Sequence, residues 1–442
     1  MKEREIALFV LMDIFEEGAY NNIILRKTLN KHSELTSVQR AFITELVNGT
    51  LRNLINIDYV IDQFSKTKTD KMKPFILNNL RVAVYQILYM DKIPVSAACN
   101  EAVILAKKRN FSSLSGFVNG VLRNIARNKD SVEYPKDKTK ALALKYSYPE
   151  WLIKYWLKEM SFEDTEKVCA SFAQPPRLSV CVNATKLSKN ELKNKFSDEG
   201  IAVDGDTLLD NSLYIYRTSN IAESKCYKEG LFHIMDESSM LAVKIMAPLK
   251  NSVVADVCSA PGGKSFAIAE YMGDSGKVYS RDIYSHKIEL IEEGAERLGL
   301  KSIKAEIKDA AEIDNELKAD YVLVDAPCSG FGLVRKKPDI KYNKVYEDIE
   351  ELSALQRKIL AASSVMVKEG GILVYSTCTI SHKENADNVK WFCREYGFTP
   401  EDISKYLPEN MSCDTAEKGY IQLLPHEYGT DGFFIARMRK NG

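Results

Sequence analysis

Two cysteines stand where their thiols can take part in covalent chemistry. Cys328 follows the predicted strand 321–325 and Cys378 follows the predicted strand 372–376, and small or hydroxyl-bearing residues flank both. In a doubly wound sheet that starts at a central strand, these fourth and fifth strands lie side by side, so their carboxyl ends meet at one edge. We therefore expect the two thiols to be neighbours in space.

A pair of thiols is suited to alkylation of a pyrimidine at C5, a carbon that is a poor nucleophile. A thiolate that adds to C6 gives C5 enamine character, and C5 can then attack an activated methyl group. A base must afterwards remove the C5 proton so that the thiolate can leave. Asp325 is a candidate to stabilise the adduct at N3, and Lys264 is a candidate to assist electrostatically. Geometry alone leaves open which cysteine attacks.

A glycine-containing loop joins the predicted strand 253–258 to a helix, where an open α/β sheet usually binds its ligand. Glycine lets the backbone approach a ligand closely. The spacing fits neither G-x-G-x-x-G nor a phosphate-binding P-loop, which disfavours NAD and ATP. The residues expected to form this cofactor loop are Cys258, Ser259, Ala260, Pro261, Gly262, Gly263 and Lys264.

Acidic residues end the next two predicted strands. Asp282 ends the strand 277–283, at a position where an acid can bind the ribose hydroxyls of a nucleoside. Asp309 follows the strand 302–307 and is well placed for an adenine edge. A nucleoside that is held without a phosphate-binding loop indicates S-adenosylmethionine as the cofactor.

Strands and helices alternate along the chain from about residue 236. This pattern predicts a parallel sheet covered by helices on both faces, in a Rossmann-like α/β domain over 236–442. A late strand over 432–438 is expected to close the edge of the sheet. The helices that separate the strands include 285–298 and 349–367.

Two smaller domains are predicted ahead of it, which makes the chain multidomain. Residues 1–130 are expected to be all-helical, and 145–235 to hold a linker helix and a small α+β module. In the first, apolar residues recur at helical spacing over 6–15, 42–57, 75–90 and 97–106, and the polar stretch 128–140 resembles a linker. In the second, the predicted elements are a helix over 151–172, strands 178–182 and 212–216, and a helix over 188–199.

The composition is that of a folded protein: 442 residues, 45% hydrophobic and 28% charged. No apolar run is long enough to span a bilayer, and the short run 6–12 is predicted to be a helix face rather than a signal peptide. Nine cysteines with no C-x-x-C pair and no closely spaced histidine give poor support for a zinc site. We expect a cytoplasmic monomer that binds no metal.

The charge is balanced overall but not along the chain. Residues 1–140 carry 22 basic and 15 acidic side chains, and the remainder carries 39 and 46. A basic front end favours a polyanionic partner, although a surplus of this size also occurs as ordinary surface variation. The candidate phosphate-binding clusters are Lys107, Lys108, Arg109, Arg123 and Arg127, and Arg335, Lys336 and Lys337.

Residues 145–442 contain motifs that resemble those of the RNA cytosine-5 methyltransferases of the NOL/NOP2/Sun family. Those motifs are Ala260-Pro261-Gly262-Gly263-Lys264, Asp325-Ala326-Pro327-Cys328-Ser329-Gly330, Ser376-Thr377-Cys378-Thr379, Pro338-Asp339-Ile340-Lys341 and Thr430-Asp431-Gly432-Phe433-Phe434. Residues 40–52 and 116–123 resemble a NusB-like helical RNA-binding domain.

The resemblance implies an enzyme that transfers a methyl group from S-adenosylmethionine to C5 of a cytosine in 16S ribosomal RNA. By motif, Cys378 matches the nucleophile that attacks C6, and Cys328 matches the cysteine that helps to release the product. Asp282, Asp309 and Asp325 match acidic positions that contact the cofactor or the target base.

Two alternatives stay open at this point. One is the same chemistry on transfer RNA, and the other is a non-catalytic RNA-binding or antitermination-like protein. DNA is not expected as the substrate, because a DNA cytosine methyltransferase would normally place its nucleophile in the Pro-Cys motif.

Overall fold

The computed structural model describes residues 2–17, 21–216 and 221–442. The chain divides into two compact units. The first comprises Met1–Pro175 together with Val334–Asn343, and the second comprises Pro176–Leu333 and Lys344–Gly442. Among the described residues, every helix is too short or too polar to cross a lipid bilayer.

The first unit is all-helical around an apolar core that includes Leu11, Leu46, Leu80 and Leu122. The all-α prediction for the amino-terminal part is confirmed. Its helices are α1 (Lys2–Glu17), α2 (Asn21–Lys31), α3 (Ser37–Arg52), α4 (Leu54–Phe64), α5 (Pro74–Tyr89), α6 (Val95–Lys108), α7 (Ser115–Asn128), α8 (Lys138–Lys145), α9 (Glu150–Glu159) and α10 (Phe162–Ala173).

Local capping explains where the predicted helices of this unit are wrong. The predicted helix 42–57 is two helices, because α3 ends at Arg52 and is capped by Asn53, whose side-chain amide donates a hydrogen bond to the Gly49 carbonyl. The predicted helix 151–172 is also two, and Ser161 caps the second by accepting from the Asp164 N–H. The predicted linker 128–140 contains the start of α8, which Asp137 caps.

The second unit begins with a small antiparallel sheet. Its strands are β1 (Leu178–Val182), β2 (Ala202–Asp204), β3 (Ser212–Tyr216) and β4 (Phe232–Ile234), in the order β2-β3-β1-β4. The predicted strands 178–182 and 212–216 are confirmed, and the short strands β2 and β4 were not predicted. Helices α11 (Lys189–Asp198) and α12 (Lys225–Lys228) accompany this sheet.

The large sheet of the second unit is mixed, with the order β10-β12-β9-β8-β5-β6-β7 and β11 paired to β12. Its strands are β5 (Val253–Asp256), β6 (Lys277–Asp282), β7 (Ile303–Ile307), β8 (Ala319–Asp325), β9 (Val367–Thr377), β10 (Phe398–Pro400), β11 (Tyr420–Leu423) and β12 (Phe433–Lys440). The accompanying helices are α13 (Glu237–Met246), α14 (Gly263–Tyr271), α15 (Ser285–Leu298), α16 (Tyr346–Met366), α17 (Ala386–Tyr396) and α18 (Pro425–Tyr428).

The Rossmann-like prediction is confirmed, with one correction at the late strand. Strands β5 to β9 are parallel, but β12 runs antiparallel to β9 and also pairs with β10 and β11. It therefore lies inside the sheet instead of closing its edge. The reason is that β10 and β11, which the apolar pattern did not reveal, supply further pairing partners.

Candidate active site

The carboxyl ends of β5, β8 and β9 lie side by side. Asp256 at the end of β5 is the register partner of Leu323 in β8, and Asp325 at the end of β8 is the partner of Ser376 in β9. Parallel strands end at the same edge of a sheet, so the loops after Asp256, Asp325 and Thr377 converge at this edge.

The two cysteines come together at this edge as expected. The Sγ atoms of Cys328 and Cys378 are 3.2 Å apart. The hydrogen bond to Cys378, together with burial, raises the pKa of the Cys328 thiol well above its usual value. Cys328 therefore keeps its proton in the free protein and can donate it to the Cys378 sulfur.

Asp325 is fixed by two donors. The Lys264 ammonium lies 2.7 Å from one carboxylate oxygen, and the Ser376 hydroxyl donates to the other at 2.7 Å. Burial disfavours the charged lysine, but the Asp325 carboxylate outweighs that effect and raises the Lys264 pKa above its ordinary value. The Phe433 ring also faces the ammonium at 5.2 Å. The pair is thus an ion pair close to the thiols.

A buried carboxyl that the sequence did not reveal anchors the Cys328 loop. Glu384 accepts hydrogen bonds from the Ser329 N–H at 2.8 Å, from the Ser329 hydroxyl at 2.6 Å and from the Gln356 amide at 3.0 Å. The Ser329 and Thr379 hydroxyls are 2.7 Å apart, so the network also reaches the Cys378 loop. Burial raises the pKa of Glu384 despite these donors.

Glycine is required in the loop that precedes α14. Gly262 has φ +106°, and a Cβ there would lie 2.4 Å from the Phe266 ring. The Ser259 N–H and hydroxyl both donate to the Arg281 carbonyl, at 2.8 and 3.0 Å, which ties the loop to β6. The loop therefore passes close to its neighbours, with no room for larger residues at Gly262.

A cavity of about 550 Å³ opens beside the thiols. This volume is within the range of small-molecule sites. Its walls include seven of the predicted site residues: Cys258, Ala260, Asp282, Asp309, Asp325, Cys328 and Cys378. We call it the strand-end cavity.

Not all of the predicted loop residues face this cavity. Pro261 and Gly263 line a second cavity of about 440 Å³, together with His233 and Arg297. Ser259 is buried, and its polar groups are used within the loop.

The acids of the strand-end cavity already have protein partners. The Asp282 carboxylate accepts from the Tyr284 N–H at 3.2 Å and from the Lys287 ammonium at 3.3 Å. Asp309 accepts from the Ala311 N–H at 2.8 Å. Each carboxylate retains acceptor capacity for a ligand hydroxyl or amine. Tyr284 and Lys287 also line the cavity, which the sequence did not indicate.

The candidate phosphate-binding clusters present less exposed positive charge than the sequence suggested. Lys108 and Arg109 both pair with Glu5, at 2.8 and 2.5 Å. In the second candidate phosphate-binding cluster, Arg335 is buried, whereas Lys337 is exposed.

Three family models match successive parts of the chain. They are the NusB family over 1–127, the ferredoxin-like domain of RsmF/B-like methyltransferases over 148–222, and the 16S rRNA methyltransferase RsmB/F over 243–439. The ferredoxin-like match covers most of the small sheet, which was predicted only as an α+β module.

Full-length relatives match as well. A probable ribosomal RNA small subunit methyltransferase B from Bacillus subtilis is 42% identical, with 99% of each chain covered. The ribosomal RNA small subunit methyltransferase B of Shewanella oneidensis is 30% identical, over 100% of this chain and 99% of the relative.

Solved structures agree with the fold. PH0851 superposes with a TM-score of 0.81 at 26% identity, over 100% of this chain and 99% of that one. NSun6 from Pyrococcus horikoshii, solved with SFG, covers 70% of this chain and 99% of its own, with a TM-score of 0.60 at 22% identity. From the full-length identity and the order of the three matched domains, the chain belongs to the RsmB family of ribosomal RNA small subunit methyltransferases.

Proposed function

We propose that this protein transfers a methyl group from S-adenosylmethionine to C5 of a cytosine in 16S ribosomal RNA, in the cytoplasm, through a covalent cysteine–C6 adduct. The observation that carries the proposal is the 3.2 Å separation of the Cys328 and Cys378 sulfurs, which both line the strand-end cavity. Family membership and the small subunit methyltransferase relatives support the RNA substrate.

The strand-end cavity fits the cofactor by the chemistry of its walls. Asp282 and Asp309 would accept hydrogen bonds from a ribose and an adenine amine, and Ile283, Leu355 and Ile359 offer apolar surface to a purine ring. When bound, S-adenosylmethionine supplies an electrophilic methyl group. The remaining chemistry belongs to the protein side chains.

The two thiols have different roles, because Cys378 reacts as a thiolate whereas Cys328 is protonated at first. Cys378, as thiolate, adds to C6, which makes C5 nucleophilic. The hydrogen bond to Cys378 is the largest cause of the high Cys328 pKa, and adduct formation removes it. Cys328 then ionises more readily and loses its proton to solvent. The Cys328 thiolate takes the C5 proton, the C5–H electrons re-form the C5=C6 bond, and the C6–S bond breaks to release the Cys378 thiolate.

Asp325 explains why the target base is a cytosine rather than a uracil. The Asp325 carboxyl group contacts Lys264 and Ser376, and as a hydrogen-bond acceptor at this position it would bind the N4 amine of cytosine. The O4 carbonyl of uracil offers no proton there and would be repelled. The target base must leave its stack to reach a partly buried thiol, as other base-modifying enzymes require.

Methyl transfer with mass analysis of the product tests the proposal. The protein would be incubated with 16S RNA transcribed in vitro and with S-adenosylmethionine that carries a labelled methyl group. We expect labelled 5-methylcytidine after digestion of the 16S RNA and none after digestion of a transfer RNA pool. Label in 5-methyluridine, in transfer RNA alone, or in no nucleoside would contradict it.

A further inference from the structure

A buried group of metal-ligating side chains lies away from the thiols, in the second unit. The Cys181 thiol, the His233 imidazole and a Glu270 carboxylate oxygen all lie within 4.8 Å of one another. All three residues are buried, with exposed fractions of 0%, 3% and 6%. None of them takes part in the proposed methyl transfer.

Strand register brings the first two together. Cys181 in β1 and His233 in β4 are direct partners in the antiparallel pair, so their side chains leave the same face of the small sheet. The neighbours Val180 and Val182 pack in the core on the opposite face. Glu270 comes from the last turn of α14, the helix that begins at the cofactor loop.

Three buried polar atoms of this group have no hydrogen-bond partner. They are the two ring nitrogens of His233 and the Oε1 atom of Glu270, which make no hydrogen bond with any described residue. A buried polar group without a partner costs a few kcal/mol, so such atoms normally have a ligand. A cation bound to His233 Nδ1 and Glu270 Oε1 would satisfy two of these three atoms at once.

The spacing suits a tetrahedral metal. The Cys181 sulfur is 3.8 Å from Glu270 Oε2, and His233 Nδ1 is 3.4 Å from Glu270 Oε1. Zinc bonds of roughly 2.0–2.3 Å to nitrogen, oxygen and sulfur place adjacent ligands about 3.3–3.8 Å apart in a tetrahedron. The mixed sulfur, nitrogen and oxygen set is the one that zinc takes, whereas magnesium and calcium prefer oxygen alone.

We propose that Cys181, His233 and Glu270 bind one Zn²⁺ ion, which ties β1 and β4 of the small sheet to α14. Two further contacts orient the ligands. The Asn211 amide donates to the Cys181 sulfur at 3.4 Å, and the Phe266 ring packs edge-on against the His233 imidazole at 5.7 Å between centroids. Outer contacts of this kind fix metal ligands in place.

Metal content and a spectroscopic probe test the site. The full-length protein, purified without chelator, is expected to contain about one zinc ion per chain by plasma mass spectrometry. After removal of the metal, added Co²⁺ should produce the visible bands of tetrahedral coordination and the near-ultraviolet band of a thiolate ligand. Zn²⁺ should displace the Co²⁺ and raise the unfolding temperature.

Variants locate the metal. Cys181→Ser should lose the thiolate band, and His233→Gln should weaken zinc binding by roughly tenfold or more. The control is Cys226→Ser, since Cys226 is a buried cysteine in the core on the other face of the small sheet and should leave the spectrum unchanged. Wild-type protein that contains no zinc and shows no Co²⁺ bands would overturn the proposal, and so would bands that survive Cys181→Ser.

Discussion

At the scale of single residues, the chemistry rests on side chains whose ionisation is set by their neighbours. Cys328 keeps its proton because of Cys378, and Lys264 keeps its charge because of Asp325. The sequence was sufficient to propose all four, because each belongs to a short motif at a strand end. It gave no sign of Glu384, since a glutamate six residues after Cys378 has no motif and only the folded loops show what it touches.

Glu384 acts as a positioning residue for the Cys328 loop, which leads to a first prediction. Glu384→Gln replaces one acceptor oxygen by an amide, so Ser329 loses part of its anchor. We expect kcat to fall roughly 10- to 100-fold because the thiol is misplaced, with S-adenosylmethionine affinity changed less than about twofold. Steady-state kinetics and calorimetric titration would measure these effects.

A surface variant controls for this change. Glu350→Gln alters a glutamate that is 49% exposed and pairs with Lys383 at 2.8 Å, so both parameters should stay unchanged. Equal losses of kcat in the two variants, or a loss of affinity alone in Glu384→Gln, would argue against a positioning role.

At the scale of elements, the parallel core of the large sheet followed from the alternation of strands and helices. What the sequence missed were the short strands β2, β4, β10 and β11, each of three or four residues, which are too short to show a period. Helix breaks at Asn53 and Ser161 were missed for a related reason, because the apolar pattern continues across both caps.

The loop between β5 and α14 supplies the second prediction. Gly262→Ala puts a Cβ at φ +106° and 2.4 Å from the Phe266 ring, so unfolding free energy should fall by about 1–3 kcal/mol or more. S-adenosylmethionine binding should weaken because the loop must shift. Chemical denaturation and titration calorimetry would measure the two effects.

Gly397→Ala is the matched control, because Gly397 has φ +68° with no atom within 4 Å of an added Cβ. This variant also places a Cβ at a positive φ, but without the clash and outside the cofactor loop. It should lose less stability and bind the cofactor normally. Similar losses in the two variants would show that the clash has no consequence.

At the scale of the whole molecule, the chain path departs from the linear succession of domains that the sequence predicted. The segment Val334–Asn343 follows the Cys328 loop in sequence but belongs to the first unit. There the fully buried Lys341 donates to the Arg52 carbonyl at 2.7 Å, and the Tyr342 hydroxyl donates to the Leu51 carbonyl at 2.8 Å. A sequence motif cannot show such a contact, because its partners lie about 290 residues earlier.

Lys341 provides the third prediction, which concerns pH. Burial lowers the pKa of Lys341 in the folded protein well below its usual value. In the unfolded chain the pKa is near 10.4, so at any pH between these two pKa values the unfolded chain binds more protons than the folded protein. The stability that Lys341 contributes must therefore rise with pH over that window. Relative to Lys341→Met, wild type should gain stability between pH 7 and about pH 9.5 in urea titrations.

The control is Lys337→Met, because Lys337 is an exposed lysine of the same segment. This variant should show no such pH dependence of stability relative to wild type. A difference between wild type and Lys341→Met that stays constant with pH would contradict the buried, readily deprotonated amine.

The central claim is covalent catalysis by a pair of cysteines with distinct roles, and trapping the adduct tests it most directly. Cys328→Ala and Cys378→Ala proteins would each be incubated with unmodified 16S RNA and S-adenosylmethionine, then separated on denaturing gels. We predict a protein–RNA adduct with Cys328→Ala, which can attack but cannot release, and none with Cys378→Ala. An adduct with Cys378→Ala alone would reverse the roles, and no adduct with either variant, together with no methyl transfer by wild type, would contradict the account.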